Sequence, residues 1–182
     1  VLEQPLGEKF VTLALANTDE RIQQGKTVSP GFLFASLLWH QVVEKWDAYK
    51  AAGEFAIPAL HLAADDVLNT QTDALALQRK IGSDMRDIWA MQPRFERRIG
   101  KTPYKLLENT RLRAGYDFLL LRCASGEIDT EIGEWWTGFI NGDEIERERL
   151  LTIKPKQEGS APAKKRRPRR SSGSRNANKV SE

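Results

Sequence analysis

The sequence predicts an all-α protein, built as a bundle-like array of helices with a disordered basic tail at its C-terminus. Helix start and stop signals divide residues 6–153 into segments of helical length, and no run of alternating apolar and polar residues is longer than four. After residue 153 the sequence consists mainly of Lys, Arg, Ser, Pro, Gly and Asn. Such a segment buries too little to offset the entropy of ordering its chain, so we expect it to be disordered.

Glycine and proline mark the helices of the N-terminal part. The first helix is predicted over about residues 6–24. Ser29 is a candidate N-cap for the second, because its hydroxyl can accept a hydrogen bond from the first turn and Pro30 suits the first helical position. This helix should end near Gly53, and a third has Pro58 near its start. Residues spaced by four on the second helix are expected to be buried: Phe34, Leu38, Val42 and Trp46.

The segment from about residue 75 to residue 99 is predicted to be one helix with an apolar face and a basic face. Pro93 lies within it and removes a backbone hydrogen bond, so it either kinks the helix or divides it in two. The apolar arc contains Ile81, Met85, Ile88, Trp89, Phe95 and Ile99. The opposite arc, expected to face outward, contains Arg86, Arg94, Arg97, Arg98 and Lys101.

Shorter helices are predicted in the C-terminal part. Thr102 is a candidate N-cap for a helix that reaches about Glu108, and another helix covers about residues 110–125. Asp129 should cap a helix that ends at Gly142, and a last helix follows it. Trp135 and Trp136 are adjacent in this region, and we expect at least one of them to be in the core.

The charge is distributed unevenly along the chain. Residues 154–182 contain ten of the 28 Lys and Arg residues but two of the 25 Asp and Glu residues, so they carry +8 while the rest carries −5. A basic tail on an acidic body indicates a nucleic-acid or membrane partner. We favour RNA or DNA; a nuclear address, anionic lipid and the absence of a specific partner are the alternatives for this tail.

The same sequence predicts neither a catalytic site nor a metal site. Asp65 and Asp66 are adjacent, so on a helix their side chains diverge by about 100°. His40 and His61 lack partners at ligand spacing, and Cys123 lacks a nearby His. A single cysteine also allows no disulfide, which fits a cytoplasmic location. The longest apolar run, residues 32–39, is far too short to span a membrane.

Basic residues are therefore the candidates for function, as contacts to RNA phosphates. The alternative is that the structured ones pair internally with Asp84, Asp87, Glu96 and Glu108. Tyr104 is a candidate for stacking on a base. The candidates outside the tail are Arg86, Arg94, Arg97, Arg98, Lys101, Lys105, Arg111 and Arg113, with Arg122 close behind in sequence. Those in the tail are Lys164, Lys165, Arg166, Arg167, Arg169 and Arg170.

One long segment, DMRDIWAMQPRFERRIGKTPYKLLENTRLRAGYDFLLLR, strongly resembles the C-terminal region of bacterial poly(A) polymerases. Upstream, NTDERI (residues 17–22) and SPGFLFASLLW (residues 29–39) are also similar to that family, and downstream Trp135, Trp136 and Phe139 fit a W-W-x-x-F element. The matching residues of the long segment are Asp87, Ile88, Trp89, Gln92, Arg94, Arg97, Arg98, Gly100, Lys101, Lys105 to Glu108, Arg113, Ala114, Tyr116, Asp117, Leu119, Leu121 and Arg122.

The resemblance implies that this chain is the RNA-binding part of an enzyme that adds AMP from ATP to single-stranded RNA 3′ ends without a template, which promotes RNA decay. It implies that ATP and Mg²⁺ bind a separate head domain, so this chain needs no cofactor and should be inactive alone. RNA-decay proteins are further expected partners. The implied organisation is an RNA-binding neck region (residues 1–53), an arginine-rich C-terminal domain (residues 54–153) and the basic tail (residues 154–182).

Two alternatives accompany this interpretation, and the chain departs from the family pattern at Pro93, Gly115, Leu112, and Asn109 and Thr110, which replace a His-Pro. The chain could instead belong to a tRNA CCA-adding nucleotidyltransferase or be a non-catalytic module that binds RNA or protein. Pro93 stands where the family usually has an apolar residue, and Gly115 stands where it has alanine. A glycine inside a helix should cost roughly 1 kcal/mol relative to alanine.

Overall fold

The computed structural model describes residues 6–75 and 77–153, and within these ranges all helices are α-helices and there are no strands. The prediction of an all-α fold is confirmed. The predicted disordered tail lies outside the described residues. The eight helices of the described part are α1 (Leu6–Gln23), α2 (Pro30–Ala51), α3 (Ala56–Leu75), α4 (Arg79–Phe95), α5 (Thr102–Leu107), α6 (Leu112–Ser125), α7 (Thr130–Asn141) and α8 (Glu144–Thr152).

Several helix ends are fixed by local side-chain chemistry, as predicted. The Ser29 hydroxyl accepts a hydrogen bond from the Phe32 amide at 3.4 Å, and the Asp129 carboxylate accepts one from the Glu131 amide at 2.8 Å. Both bonds satisfy N–H groups that have no partner within the helix. Gly126 ends α6 in the left-handed region with φ of 85°, a conformation that glycine adopts without steric cost.

The prediction of one helix over residues 75–99 is wrong at both ends, because α4 runs from residue 79 to residue 95. Its C-terminal end has a non-local cause. The Trp136 indole N–H donates to the Phe95 carbonyl oxygen at 2.8 Å. In a continuing helix that oxygen would accept the amide of Ile99. The chain therefore leaves the helix, and the basic residues that follow do not lie on one helical face.

Pro93 neither divides the helix nor begins a new one. It lies in the last turn of α4, and the chain passes through a turn before α5 begins. Lys101 occupies the N-cap position of α5 and Thr102 is its first helical residue, so the prediction of Thr102 as the N-cap is wrong by one residue.

A first hydrophobic core lies between α1, α2, α3, α4 and α6. At its centre the ring of Phe118 contacts those of Phe10, Phe32 and Trp39, with centroids 5.2, 6.0 and 5.2 Å away. α2 and α3 pack against each other here, across the predicted boundary at residues 53 and 54, and that division stays a prediction. Of the residues predicted to be buried on α2, Leu38, Val42 and Trp46 are buried and Phe34 is half-buried.

A second hydrophobic core lies between α4, α5, α6, α7 and α8. Trp135 and Trp136 are both buried in it, so the expectation that at least one is in the core is confirmed. Trp135 stacks on Phe139 with centroids 4.9 Å apart and donates its indole N–H to the Leu150 carbonyl oxygen at 3.2 Å. α4 and α6 contribute to both cores, so these two helices form the centre of the protein.

α4 and α6 approach each other closely at Gly115. A Cβ atom at that position would lie 2.5 Å from the Cε of Met91, which is itself buried. The Gln92 side-chain N–H also donates to the Gly115 carbonyl oxygen at 3.2 Å. The predicted gain of roughly 1 kcal/mol for alanine at this site is offset here, because the added methyl group would overpack the contact.

A second close approach, between α2 and α4, yields a test of this packing. A Cβ at Gly31 would lie 2.7 Å from the Cβ of Asp84, whereas a Cβ at Gly82 would lie 3.9 Å from the nearest atom, on Leu68. We expect Gly31→Ala to lower the free energy of unfolding by about 1–2 kcal/mol because the helices must move apart. Gly82→Ala should raise it by up to about 1 kcal/mol through helix propensity. Urea unfolding followed by circular dichroism measures both, and equal stability of the two variants would contradict the packing.

Candidate nucleic-acid interface

Arg122 is part of a buried polar network rather than of the surface. Its guanidinium, 3% exposed, donates to Glu127 at 2.9 Å and to the Gln92 side-chain oxygen at 3.3 Å. It lies 5.1 Å from the ring centroid of Trp39, whose indole N–H donates to the other Glu127 oxygen at 2.8 Å. Because all these groups satisfy one another inside the fold, Arg122 joins the helices and its guanidinium is not available at the surface.

Arg98 also turns inward, contrary to the predicted outward basic face. Its side chain is 8% exposed and donates to the Glu131 carboxylate at 2.6 Å. Its guanidinium lies 5.7 Å from the ring centroid of Trp135. The end of α4 at residue 95 explains the change, since residue 98 is then in a turn that faces α7. The prediction that Arg98 faces outward is wrong.

Three further candidates are paired with carboxylates at the surface. Arg86 contacts Asp65 at 2.5 Å, Arg111 contacts Asp84, and Arg113 contacts Asp117 at 3.2 Å. The Arg86 and Arg113 pairs are exposed and contribute little to stability, whereas the Asp84 side chain of the third pair is half-buried. Internal pairing of the basic residues is thus partly observed, but of the four carboxylates predicted for it, Asp84 alone forms an ion pair within the described ranges.

The remaining candidates surround a groove between α4 and α5. Arg94, Arg97 and Lys105 line it, and its volume is about 220 Å³. All three residues are exposed. No carboxylate in the described part of the chain lies within 4.0 Å of their charged groups. Lys101 is exposed in the turn just before α5. We refer to this feature as the basic groove.

The lining of the basic groove suits an anion. Ile57, Pro93 and Leu106 form apolar walls, while Thr102 and Asn109 add neutral hydrogen-bonding groups. None of the lining residues is acidic. Low-polarity walls strengthen the field of the cations inside such a concave site. The charge pattern could not predict Thr102 and Asn109, because neither is charged and they join the groove only through the fold.

A larger depression lies between the C-terminal end of α1, the α1–α2 loop and the start of α6. Its volume is about 610 Å³. Arg111 and Arg113 line it, together with Arg21 and Lys26, which the sequence analysis did not select. We refer to it as the α1–α6 cleft. Arg21 belongs to the segment NTDERI, so the resemblance was the one signal that could have located it.

The ring of Tyr104 is held by its neighbours. Its hydroxyl donates to Glu144 at 2.8 Å, which raises the pKa of the phenol, and its ring meets Phe139 edge-on with centroids 5.3 Å apart. The structure therefore uses Tyr104 to join α5 to α7 and α8. Stacking of this ring on a base stays a prediction.

Other candidate chemistry is sparse in the described part of the chain. No three His, Cys, Asp or Glu residues there are placed to share a metal ion. Burial raises the pKa of the Cys123 thiol, which disfavours the reactive thiolate. None of the described helices is both long and apolar enough to cross a membrane. The tail candidates Lys164, Lys165, Arg166, Arg167, Arg169 and Arg170 lie outside the described residues.

Comparison with known proteins decides the family. Residues 52–171 match the family described as the polymerase A arginine-rich C-terminus. The chain belongs to this family. The match includes the basic groove and the second core, and within it the motif residues Trp89, Gln92 and Arg122 are buried, so they maintain the fold.

Individual relatives agree with the family. The chain is 36% identical to Poly(A) polymerase I of Salmonella typhi over 174 residues, which is 90% of this chain and 37% of the relative. It is 32% identical over 172 residues to Poly(A) polymerase I of Haemophilus influenzae, which is 90% of this chain and 38% of the relative. It is 36% identical over 169 residues to Poly(A) polymerase I of Escherichia coli O157:H7, which is 90% of this chain and 36% of the relative. The chain thus spans little more than a third of each relative's length.

The buried network around Arg122 can be tested by removing one charge. Glu127→Gln keeps the shape of the side chain but leaves the buried guanidinium without its counter-charge, so we expect a loss of about 3 kcal/mol in the free energy of unfolding. Asp117→Asn is the control, because it removes the partner of the exposed Arg113 and should cost less than about 1 kcal/mol. Urea unfolding measures both variants, and similar losses would mean that the network does not stabilise the fold.

Proposed function

We propose that this chain holds single-stranded RNA for a poly(A) polymerase, which adds AMP from ATP to RNA 3′ ends. The observation that carries the proposal is the basic groove, where Arg94, Arg97 and Lys105 converge without a neutralising carboxylate among the described residues. A phosphodiester backbone supplies the missing charge, and its binding releases condensed counterions into solution.

The type of contact suits a template-independent polymerase. The RNA end changes with every nucleotide added, while the backbone repeats the same charge at each step. Contacts to phosphates hold the strand without selecting a sequence, so one surface can bind successive registers. Arginine adds paired N–H donors that match two phosphate oxygens, and lysine adds a mobile point charge.

The chemistry of nucleotide transfer belongs, in this proposal, to a different part of the enzyme. ATP and Mg²⁺ would bind the head domain that the resemblance implies. The residues described here gather no set of carboxylates for such an ion, and no step of catalysis is assigned to them. Inactivity of this chain alone, contacts to RNA-decay proteins, RNA contacts by the basic tail and a cytoplasmic location stay predictions.

The role of the basic groove can be tested with a triple variant. Replacing Arg94, Arg97 and Lys105 by Gln removes three phosphate contacts, so the slope of log K against log salt for an 18-nucleotide oligoadenylate should fall in magnitude by about 2, from roughly 0.7 per contact. Affinity at low salt should fall as well. Fluorescence anisotropy at a series of salt concentrations, with the complete chain, measures both quantities.

A matched control separates the groove from net charge. Arg79, Lys80 and Arg149 are exposed, line neither depression, and can also be replaced by Gln. Arg79 and Arg94 are about 22 Å apart along α4 at 1.5 Å per residue. This control should keep the original slope and most of the affinity. Equal losses in the two triple variants would reject a specific role for the groove.

The choice of nucleotide tests the class of enzyme. The full-length enzyme that contains this chain can be supplied with RNA, ATP and CTP. We expect it to extend the RNA with AMP alone. The relatives favour this outcome, since those compared are poly(A) polymerases. Product length and composition can be read on sequencing gels with each labelled nucleotide in turn. Incorporation of C residues at the RNA 3′ end would instead indicate a CCA-adding enzyme.

A further inference from the structure

The basic groove and the α1–α6 cleft meet at the turn between α5 and α6. Asn109 lines the groove, and the next two residues, Thr110 and Arg111, line the cleft. The turn is ordered by its own side chains, because the Asn109 side-chain oxygen accepts the Arg111 amide at 2.8 Å. The Arg111 guanidinium in turn contacts Asp84 of α4. The two depressions thus adjoin at one turn that is held by these contacts.

The rim of the cleft carries excess positive charge. Four cations line it, Arg21, Lys26, Arg111 and Arg113, against two carboxylates, Glu20 and Asp117. The Lys26 amide donates to the Arg21 carbonyl oxygen at 2.9 Å, which fixes the loop that carries Lys26. No carboxylate of the described ranges lies within 4.0 Å of the Lys26 ammonium.

Arg113 is the second cation of the rim with capacity for a ligand. Its side chain is 82% exposed, and its Nε donates to Asp117 at 3.2 Å. One carboxylate leaves the terminal N–H groups of the guanidinium in water, where a phosphate oxygen can accept from them. Lys26 and Arg113 therefore offer charge-assisted donors on two different elements of the rim.

The α1–α6 cleft is larger than the basic groove, and part of its lining is apolar. Val28, Phe32, Ala114 and Leu120 line it alongside the polar groups. The volume of about 610 Å³ is within the range typical of sites for small organic molecules, roughly 300–1,000 Å³. A base that is unpaired can leave the strand and place its flat face on such a surface, whereas a paired base cannot.

We propose that a single RNA strand passes from the basic groove across the 109–111 turn into the α1–α6 cleft, where Lys26 and Arg113 bind its phosphates and the apolar interior receives an unpaired base. This inference rests on the proposed RNA binding of the groove and extends it to a second site. It assigns to the α1–α2 loop a direct role in RNA binding.

The test is the double variant Lys26→Gln/Arg113→Gln in the complete chain, assayed with an 18-nucleotide oligoadenylate. Removing two phosphate contacts should lower the magnitude of the salt slope by about 1.4, from roughly 0.7 per contact. The control is Lys80→Gln/Arg149→Gln. It removes one lysine that has no ion-pair partner in the described part of the chain and one arginine from an exposed helical ion pair with Glu146, and should leave the slope unchanged.

The outcomes separate this inference from the proposed function. If the groove variant lowers the slope and the cleft variant does not, the strand does not enter the cleft and the inference is overturned while the proposed function stands. Equal losses in the cleft variant and its control overturn the inference too. The last measurement is the binding of an 18-base-pair RNA duplex. Its binding should be insensitive to the cleft variant, and a loss as large as that of the single strand would overturn the entry of an unpaired base.

Discussion

The buried guanidinium of Arg122 is the constraint on which the arrangement of the helices depends. A charge taken out of water must be neutralised and hydrogen-bonded, or its desolvation would outweigh the gain from packing. Arg122 on α6 meets this requirement only if Gln92 on α4, Glu127 in the following loop and Trp39 on α2 all keep their positions. The contacts of this one side chain thereby hold α2, α4 and α6 and the loop between α6 and α7 in position. Because α4 and α6 contribute to both hydrophobic cores, the same network relates the two cores to each other.

The desolvation cost also explains why the arginines fall into two groups. Arg98 and Arg122 are almost fully buried, and each has a carboxylate partner and an aromatic ring within 6 Å. Arg94 and Arg97 keep their side chains in water and have no such carboxylate in the described ranges. An arginine-rich sequence can thus supply buried structural cations and exposed cations that are available to a ligand side by side. Burial and the presence of a counter-charge distinguish the two kinds, whereas residue type does not.

Local signals predicted most of the fold. The Ser29 and Asp129 caps and the end of α6 at Gly126 follow from the chemistry of a few neighbouring residues, so the sequence was sufficient to locate them. The end of α4 could not be predicted in this way, because it depends on a hydrogen bond from Trp136, far along the chain. The inward turn of Arg98 follows from that bond, and the grouping of Arg94, Arg97 and Lys105 follows from the turn. The error at Arg98 therefore came from one non-local contact, whereas the burial of Arg122 came from a separate network with Glu127 and Gln92.

The end of α4 at Phe95 has a consequence for how an anion is held. Had the helix continued through Lys101, its basic residues 94, 97, 98 and 101 would have formed a convex stripe, with like charges at spacings where they repel. The observed turn instead sends Arg98 to Glu131 and leaves Arg94 and Arg97 beside a concave groove that Lys105 of α5 also lines. A groove lined from more than one element lets cations approach a phosphate from more than one direction. A groove of this kind contacts a flexible strand at few points, and each contact exchanges with water at low cost. In the proposed function, such binding would hold a strand and let it advance by one nucleotide, because the next phosphate presents the same charge to the same three side chains.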